Sequence, residues 1–273
     1  MKILIAADME GITGVINWDQ VNPAHAEYPR FRKIMTEEVN AAISGVYEGG
    51  ADEVVVADGH AGGSNILVEL LDARARLNSG NDAPYSMVQG IDASIDGVIF
   101  IGYHARAGTQ NAILDHTWSS RRVHNLWFND ILMGEYGVNA ALCGHFGAPV
   151  IMLSGDQSVC AQAVELLGPI ESVVVKQATS RFSAESQSIE RNQRLIHKAA
   201  QRAIERLREG EMKVFRLGEP IRVTIEFAHS EMADKAMDMP GLQRLDGRQV
   251  IFVAPNMPSA YRAFKAAVAL SAI

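Results

Sequence analysis

Cysteine is scarce in this chain. The two in 273 residues, Cys143 and Cys160, have neither C-x-x-C spacing nor the density of a disulfide scaffold. Both fall in helical patterns, AALCGHFG and SVCAQAVELLG, away from strand-to-loop junctions, so they are expected to be buried small residues in a protein of the reducing cytoplasm. No apolar run approaches the ~20 residues of a membrane helix. The run after Lys2 is too short for a secretion signal and stops at Asp8. A basic stripe is missing as well: 25 Lys and Arg face 32 Asp and Glu, a net charge of −7, which argues against nucleic acid as a partner. There is no internal repeat and no low-complexity segment. What remains is a near-average apolar content in a chain long enough for one large domain, or one domain and a smaller one.

The apolar runs are short and separated by helical patterns. Lys2–Ala7, Glu53–Ala57, Gly97–Tyr103, Pro149–Leu153 and Val173–Val175 read as buried strands, too short and too unbroken for helices. Between the first two, from Tyr28 to Gly50, Phe31, Ile34, Met35, Ala42, Ile43 and Val46 recur at helical spacing until Gly49-Gly50 stops them. Asp156 caps a helix running to Leu167. This alternation predicts an α/β fold, a mostly parallel sheet with helices on both faces. His116–Arg121 and Val123–Phe128 alternate like edge strands, with a turn at Asn129-Asp130, and a helix follows from Glu135 to Phe146. Ser186 to Arg208 reads as a polar helix with a narrow apolar stripe, lying solvated on the surface. After Gly210 two strands, Ile221–Phe227 and Gln249–Ala254, and a final helix after Pro258 predict a smaller α+β unit. The expected division is a catalytic domain over 1–210 and a small domain over 211–273.

The polar residues at the strand ends carry the chemistry. Asp8 and Glu10 end the first strand, Asp58 and His60 the second, His104 the third. Strand C-termini of a parallel sheet converge on one edge, where ligands bind. Carboxylates this close repel unless a proton or a cation lies between them. Imidazoles beside carboxylates favour zinc, with manganese, cobalt or iron as substitutes, over magnesium or calcium. Two divalent ions match three carboxylates and a bridging hydroxide. The third carboxylate candidate is Glu135, although an acid in the first turn of a helix is also favoured by the helix dipole alone. His116, in the loop-like ILDHTW, is open to three roles: ligand, acid–base group or structural residue. Asp58 is a candidate for orienting His60, since ligating imidazoles usually give their second N–H to such a group. His25, His124, His145, His197 and His229 have no such placement.

These residues sit in DMEGITG at Asp8, DGH at Asp58, GYHARA at Gly102, NDILMGEYGVNA at Asn129 and VKQATSR ending at Arg181. Together with IEFAHSEMADKAMDMPG and the closing AYRAF, they resemble the bacterial zinc-dependent D-aminopeptidases of the dipeptide-transport operon type, peptidase family M55. The resemblance spans nearly the whole chain. It implies two Zn2+ per subunit, short peptides as substrate, and a ring-shaped homo-oligomer, a decamer, with active sites facing an enclosed channel. It also implies the ligand set: Asp8 bridging the two ions, Glu10 and His60 on one, His104 and Glu135 on the other. His116 falls on the family's catalytic histidine, in a segment one residue longer here than in the family. The reaction would be amide hydrolysis by metal-activated water. Two other readings compete. DMEGIT superficially resembles the DxDGT loop of haloacid-dehalogenase phosphatases, but Glu10 replaces the second Asp and strand-end histidines have no part in that magnesium chemistry. The other is a non-catalytic peptide-binding protein that has kept its metals.

Overall fold

The computed structural model describes residues 1–80 and 82–272. The opening apolar run is β1 (Lys2–Ala7), buried from Ile3 onward. α1 (Tyr28–Glu48) starts with a proline in its first turn, where a missing N–H costs nothing, and buries Phe31, Ile34, Met35, Val39, Ile43 and Val46. β2 (Glu53–Asp58), β3 (Ala75–Asn78) and β4 (Gly97–Tyr103) follow, then the short pair β5 (Val123–Phe128) and β6 (Ile131–Leu132). α2 (Glu135–His145), β7 (Val150–Asp156), α3 (Gln157–Leu167), β8 (Glu171–Ser180), β9 (Ser183–Ser186) and α4 (Ile189–Arg208) complete the first part. The rest is β10 (Ile221–Phe227), α5 (Ser230–Ala236), β11 (Gln243–Arg244), β12 (Gln249–Ala254) and α6 (Met257–Leu270).

Seven strands form one sheet in the order β3-β2-β1-β4-β7-β8-β9, parallel throughout except for the β8–β9 hairpin. Period-two alternation divides its side chains between two cores. Ile3, Ile5 and Ala7 of β1 face α1 and α4, while Leu4 and Ala6 face the opposite layer with Phe100, Val150 and Leu153. That second layer contains α2 and α6 and a five-stranded antiparallel sheet, order β11-β12-β10-β5-β6. The fold is therefore the expected mostly parallel α/β sheet with an antiparallel sheet beside it.

Four details depart from the sequence expectation. The antiparallel sheet is not made by residues 211–273 alone, because β10 pairs with β5, which comes from between β4 and α2. His116–Arg121 is irregular, not a strand, and carries a left-handed residue at Trp118. Val173–Val175 is the early part of a ten-residue strand that turns back into β9. The polar helix α4 is solvated on one side only: Asn192, Ile196, Ala199, Ala200, Ala203 and Ile204 are buried against α1 and the sheet. An apolar stripe of mostly alanines is enough there because small side chains let two helices approach closely. Among the described residues no helix is long and apolar enough to cross a membrane.

The chain runs from β1 to its neighbour β2, then after β3 crosses to β4 on the other side of β1. The strand order reverses at β1, so loops leaving β1, β2 and β4 diverge and open a crevice at the carboxyl edge.

Candidate metal centre

Asp8, Glu10, His60 and His104 stand in that crevice, each within three residues of a strand end. β1 stops at Ala7 because the chain must fold sharply over β4. Gly11 donates its N–H to the Gly102 carbonyl at 2.7 Å, and a Cβ on Gly11 would lie 2.0 Å from the Tyr103 oxygen. Gly102 in turn takes φ +72, with the Asp8 carbonyl pressed against it. Two glycines thus bring the ends of β1 and β4 into contact and set Asp8 beside His104.

Glu135 and His116 reach the same place from outside the strand ends. Glu135 opens α2, and its Oε1 accepts the Trp118 N–H at 2.6 Å. His116 is brought back by its loop: Ile113 N–H donates to Asp156 Oδ2 at 2.8 Å, and His116 N–H to the Ala105 carbonyl at 3.3 Å. Asp156 does cap α3, with Oδ1 receiving Ser158 and Val159 N–H, and its second oxygen holds this loop. The His116 ring stacks on His104 with centroids 3.9 Å apart and 10° between planes, and Trp18 meets it edge-on at 5.5 Å.

All six side chains are buried. The three imidazoles share one arrangement. Each has one nitrogen against a backbone carbonyl, which can only accept, so that nitrogen carries the hydrogen. His60 Nε2 donates to Val21 O at 2.8 Å, His104 Nδ1 to Ala105 O at 3.0 Å, and His116 Nδ1 to Leu114 O at 2.8 Å. The other nitrogens point at the carboxylates. His60 Nδ1 lies 3.0 Å from Glu10 Oε2 and 3.3 Å from Asp8 Oδ1. His104 Nε2 lies 3.2 Å from Glu135 Oε1 and 3.4 Å from Asp8 Oδ2. His116 Nε2 is 3.6 Å from Glu135 Oε1 and 3.9 Å from Glu10 Oε1.

The acceptor that orients His60 is the Val21 carbonyl, not Asp58. Asp58 instead braces the loop behind the ring: it accepts from the Asn65 and Ile66 backbone N–H groups and the Asn65 amide, which also reaches the His60 carbonyl. The carboxylate is used up in shaping the turn, so a backbone group serves the imidazole.

The electrostatics are those of a site built for cations. Burial, and after it Glu10, pushes the Asp8 carboxyl up to about 7. Burial would also raise Glu10, but His60, His116 and His104 hold it well below the usual range; His104 and His116 do the same, more weakly, for Glu135. Burial disfavours a charged His104, yet Glu135, Asp8 and Glu10 carry it up to about 10. His60 is raised likewise against burial, by Glu10 and Asp8. His116 goes the other way, lowered by burial and by its stacking partner His104. Protons on imidazoles thus stand in for the positive charge that three buried carboxylates require.

Divalent ions fit this donor set. Asp8 Oδ2 and His104 Nε2 are buried without a hydrogen-bond partner although they face each other. Two trios, Asp8–Glu10–His60 and His104–His116–Glu135, each offer three ligand atoms within 4.8 Å of one another. Both are mixed oxygen and nitrogen sets that suit zinc. Asp8 stands in the first trio but also beside His104 of the second.

The centre opens into a cavity of about 500 Å³ walled by Trp18, Trp118, Arg121, Arg122 and Lys265. Trp118 is held edge-on by Tyr261 and Phe264 of α6, so the late part of the chain supplies a wall of the site. Sequence reasoning passed over Trp18, Trp118 and Val21. Trp18 opens a single 3-10 turn and Trp118 lies in an irregular loop, and a backbone carbonyl leaves no trace in residue type.

The chain matches the family model Peptidase_M55, D-aminopeptidase, over residues 1–266. It is 36% identical over 266 residues to the D-aminopeptidase of Bacillus subtilis (strain 168), covering 96% of this chain and 95% of that protein. It is similar in structure to the Zn-dependent D-aminopeptidase DppA from Bacillus subtilis, a self-compartmentalizing protease. The TM-score is 0.96 at 34% identity, covering 99% of this chain and 98% of that one.

The close approach at Gly11 yields a direct test. Gly11→Ala should destabilise the protein by about 1–3 kcal/mol, the usual cost of overpacking. Gly62→Ala, where a Cβ would meet nothing within 4 Å, should cost far less. Denaturant unfolding of both variants checks this, and equal stabilities would show that the β1–β4 approach is loose.

Proposed function

The chain belongs to the D-aminopeptidase family M55, and we propose that it cleaves the N-terminal D-residue from short peptides at a centre of two zinc ions per subunit. It is a metallo-aminopeptidase, and a magnesium phosphatase reading of DMEGIT falls with that assignment. The observation that carries the proposal is the convergence of three carboxylates with three imidazoles whose free nitrogens all face inward.

Asp8 would bridge the ions, with Glu10 and His60 on one and His104 and Glu135 on the other. When bound, the ions supply Lewis-acid activation of water and of the scissile carbonyl. His116 is proposed as the acid–base group. Its hydrogen is committed to the Leu114 carbonyl, so Nε2 offers a lone pair to take a proton from the attacking water. The imidazolium so formed is stabilised by Glu10 and Glu135 and returns the proton to the leaving amine. Burial and His104 keep His116 neutral beforehand, as a base must be. Trp18 against its edge and the stacked His104 restrict the ring's motion. The substrate's free amine would be held by a site carboxylate or by one of the ions.

Turnover of a panel of D- and L-aminoacyl amides and dipeptides tests the function. Release of N-terminal D-residues is expected; turnover of L-substrates alone would overturn the D-preference, and no turnover the enzyme reading.

Metal analysis of variants tests the roles. Asp8→Ala should lose both zincs and His104→Ala chiefly one. His116→Ala should keep both, with kcat lower by on the order of 10²–10⁴. Zinc lost together with activity would make His116 a ligand, as its place beside His104 and Glu135 also permits.

Two further points belong to this reading. The related DppA is a self-compartmentalizing protease, and we propose the same kind of assembly here, a ring-shaped decamer. Light scattering should give about ten times the 29.7 kDa chain mass, and a monomer would contradict it. The setting is the cytoplasm, in keeping with two buried free thiols, one of which, Cys160, burial pushes up to about 12.

A further inference from the structure

Lys176 is buried in the middle of β8, 1% exposed, with no part in the chemistry described so far. An ammonium offers three donors. All three are used on one short stretch of backbone: Nζ donates to the carbonyls of Glu10 at 2.6 Å, Ile12 at 2.9 Å and Val15 at 2.8 Å. Residues 8–17 have no helix or strand to satisfy their backbone, yet 8–13 are fully buried. Other anchors hold the same loop from further out. Thr13 N–H donates to Glu38 Oε1 at 3.0 Å, and the Asn192 amide donates to Thr13 Oγ1 at 2.9 Å. Of these anchors, it is Lys176 that reaches the Glu10 carbonyl itself.

The geometry points to Lys176 as a positioning residue for one half of the metal centre. By clamping the backbone at Glu10 it fixes where the Glu10 carboxylate meets His60, and so sets the affinity of the Asp8–Glu10–His60 trio for its ion. The His104–His116–Glu135 trio is carried by β4, α2 and the loop before Trp118, none of which the ammonium touches. The clamp therefore acts on one ion and not on the other. A methyl, amide or hydroxyl at this position could not serve three carbonyls at once. The positive charge is itself compensated by Asp156, Glu38 and Glu10 nearby, which hold the ammonium charged near neutral pH although burial pulls it down to about 8. The inference rests on the two-zinc reading above.

The experiment is stepwise zinc uptake by the metal-stripped protein, followed by chelator competition, in wild type, Lys176→Met and Lys176→Gln. Lysine to methionine keeps the stem and removes every donor. Glutamine keeps two N–H donors without charge and serves as the milder variant should methionine fail to fold. His60→Ala and His104→Ala identify which step belongs to which trio. Loss of a group that orients a ligand typically weakens metal binding 10–100-fold. The expected result is a loss of that size in the step that His60→Ala abolishes, smaller in Lys176→Gln than in Lys176→Met. The step that His104→Ala abolishes should stay at its wild-type value. Both steps weakened alike would reduce Lys176 to general support of the fold, and both unchanged would leave it no role at the centre; either overturns the proposal. Wild type that takes up no zinc would refute the two-zinc reading itself, and with it any action of Lys176 on a metal.

Discussion

Three buried carboxylates lie within reach of one another, and most of the neighbourhood is arranged around that fact. An ionised carboxylate buried without compensation costs several kcal/mol even after relaxation. Asp8, Glu10 and Glu135 together would repel as well as desolvate. Three imidazoles, a buried ammonium and the Met9 and Trp118 N–H groups all converge on these acids or on the backbone that carries them. Positive charge, as protons or as cations, is what such a cluster requires. The elevated His104 and the half-neutral Asp8 mark what the cluster does when protons alone must serve.

The histidines show how the backbone prepares side chains for that role. A carbonyl opposite one ring nitrogen decides which nitrogen keeps its hydrogen, and so which one is bare. Val21, Leu114 and Ala105 provide those carbonyls from outside the strands and α-helices. The irregular segments around the site are therefore not loose connections. They expose backbone acceptors that a strand or helix would have used internally.

The layer beneath and the layer beside the site divide the remaining work. The parallel sheet sets where β1, β2 and β4 end, and Gly11 with Gly102 lets two of those ends touch. Helix α6 gives the cavity its far wall, through Lys265 and Val268 and by holding Trp118, so the final helix is linked to the chemistry though it lies in a distant part of the chain.

Much of this was legible in the residues. Short apolar runs ending in Asp8-x-Glu10, Asp58-x-His60 and His104 specify strands, their direction and the acidic edge, because period and burial are local properties of sequence. Family likeness supplied Glu135 and His116, whose spacing alone left other readings open. Only the tertiary structure decided the rest. It turned the His116 loop back through Asp156 and Ala105, gave His60 a carbonyl where Asp58 had been expected, and buried one face of a helix that reads as polar. It also brought Lys176 beneath Glu10 across 166 residues of chain. Each of these depends on which backbone atom faces which side chain. That is fixed by sheet order and by the packing of loops, and residue types in sequence do not encode it directly.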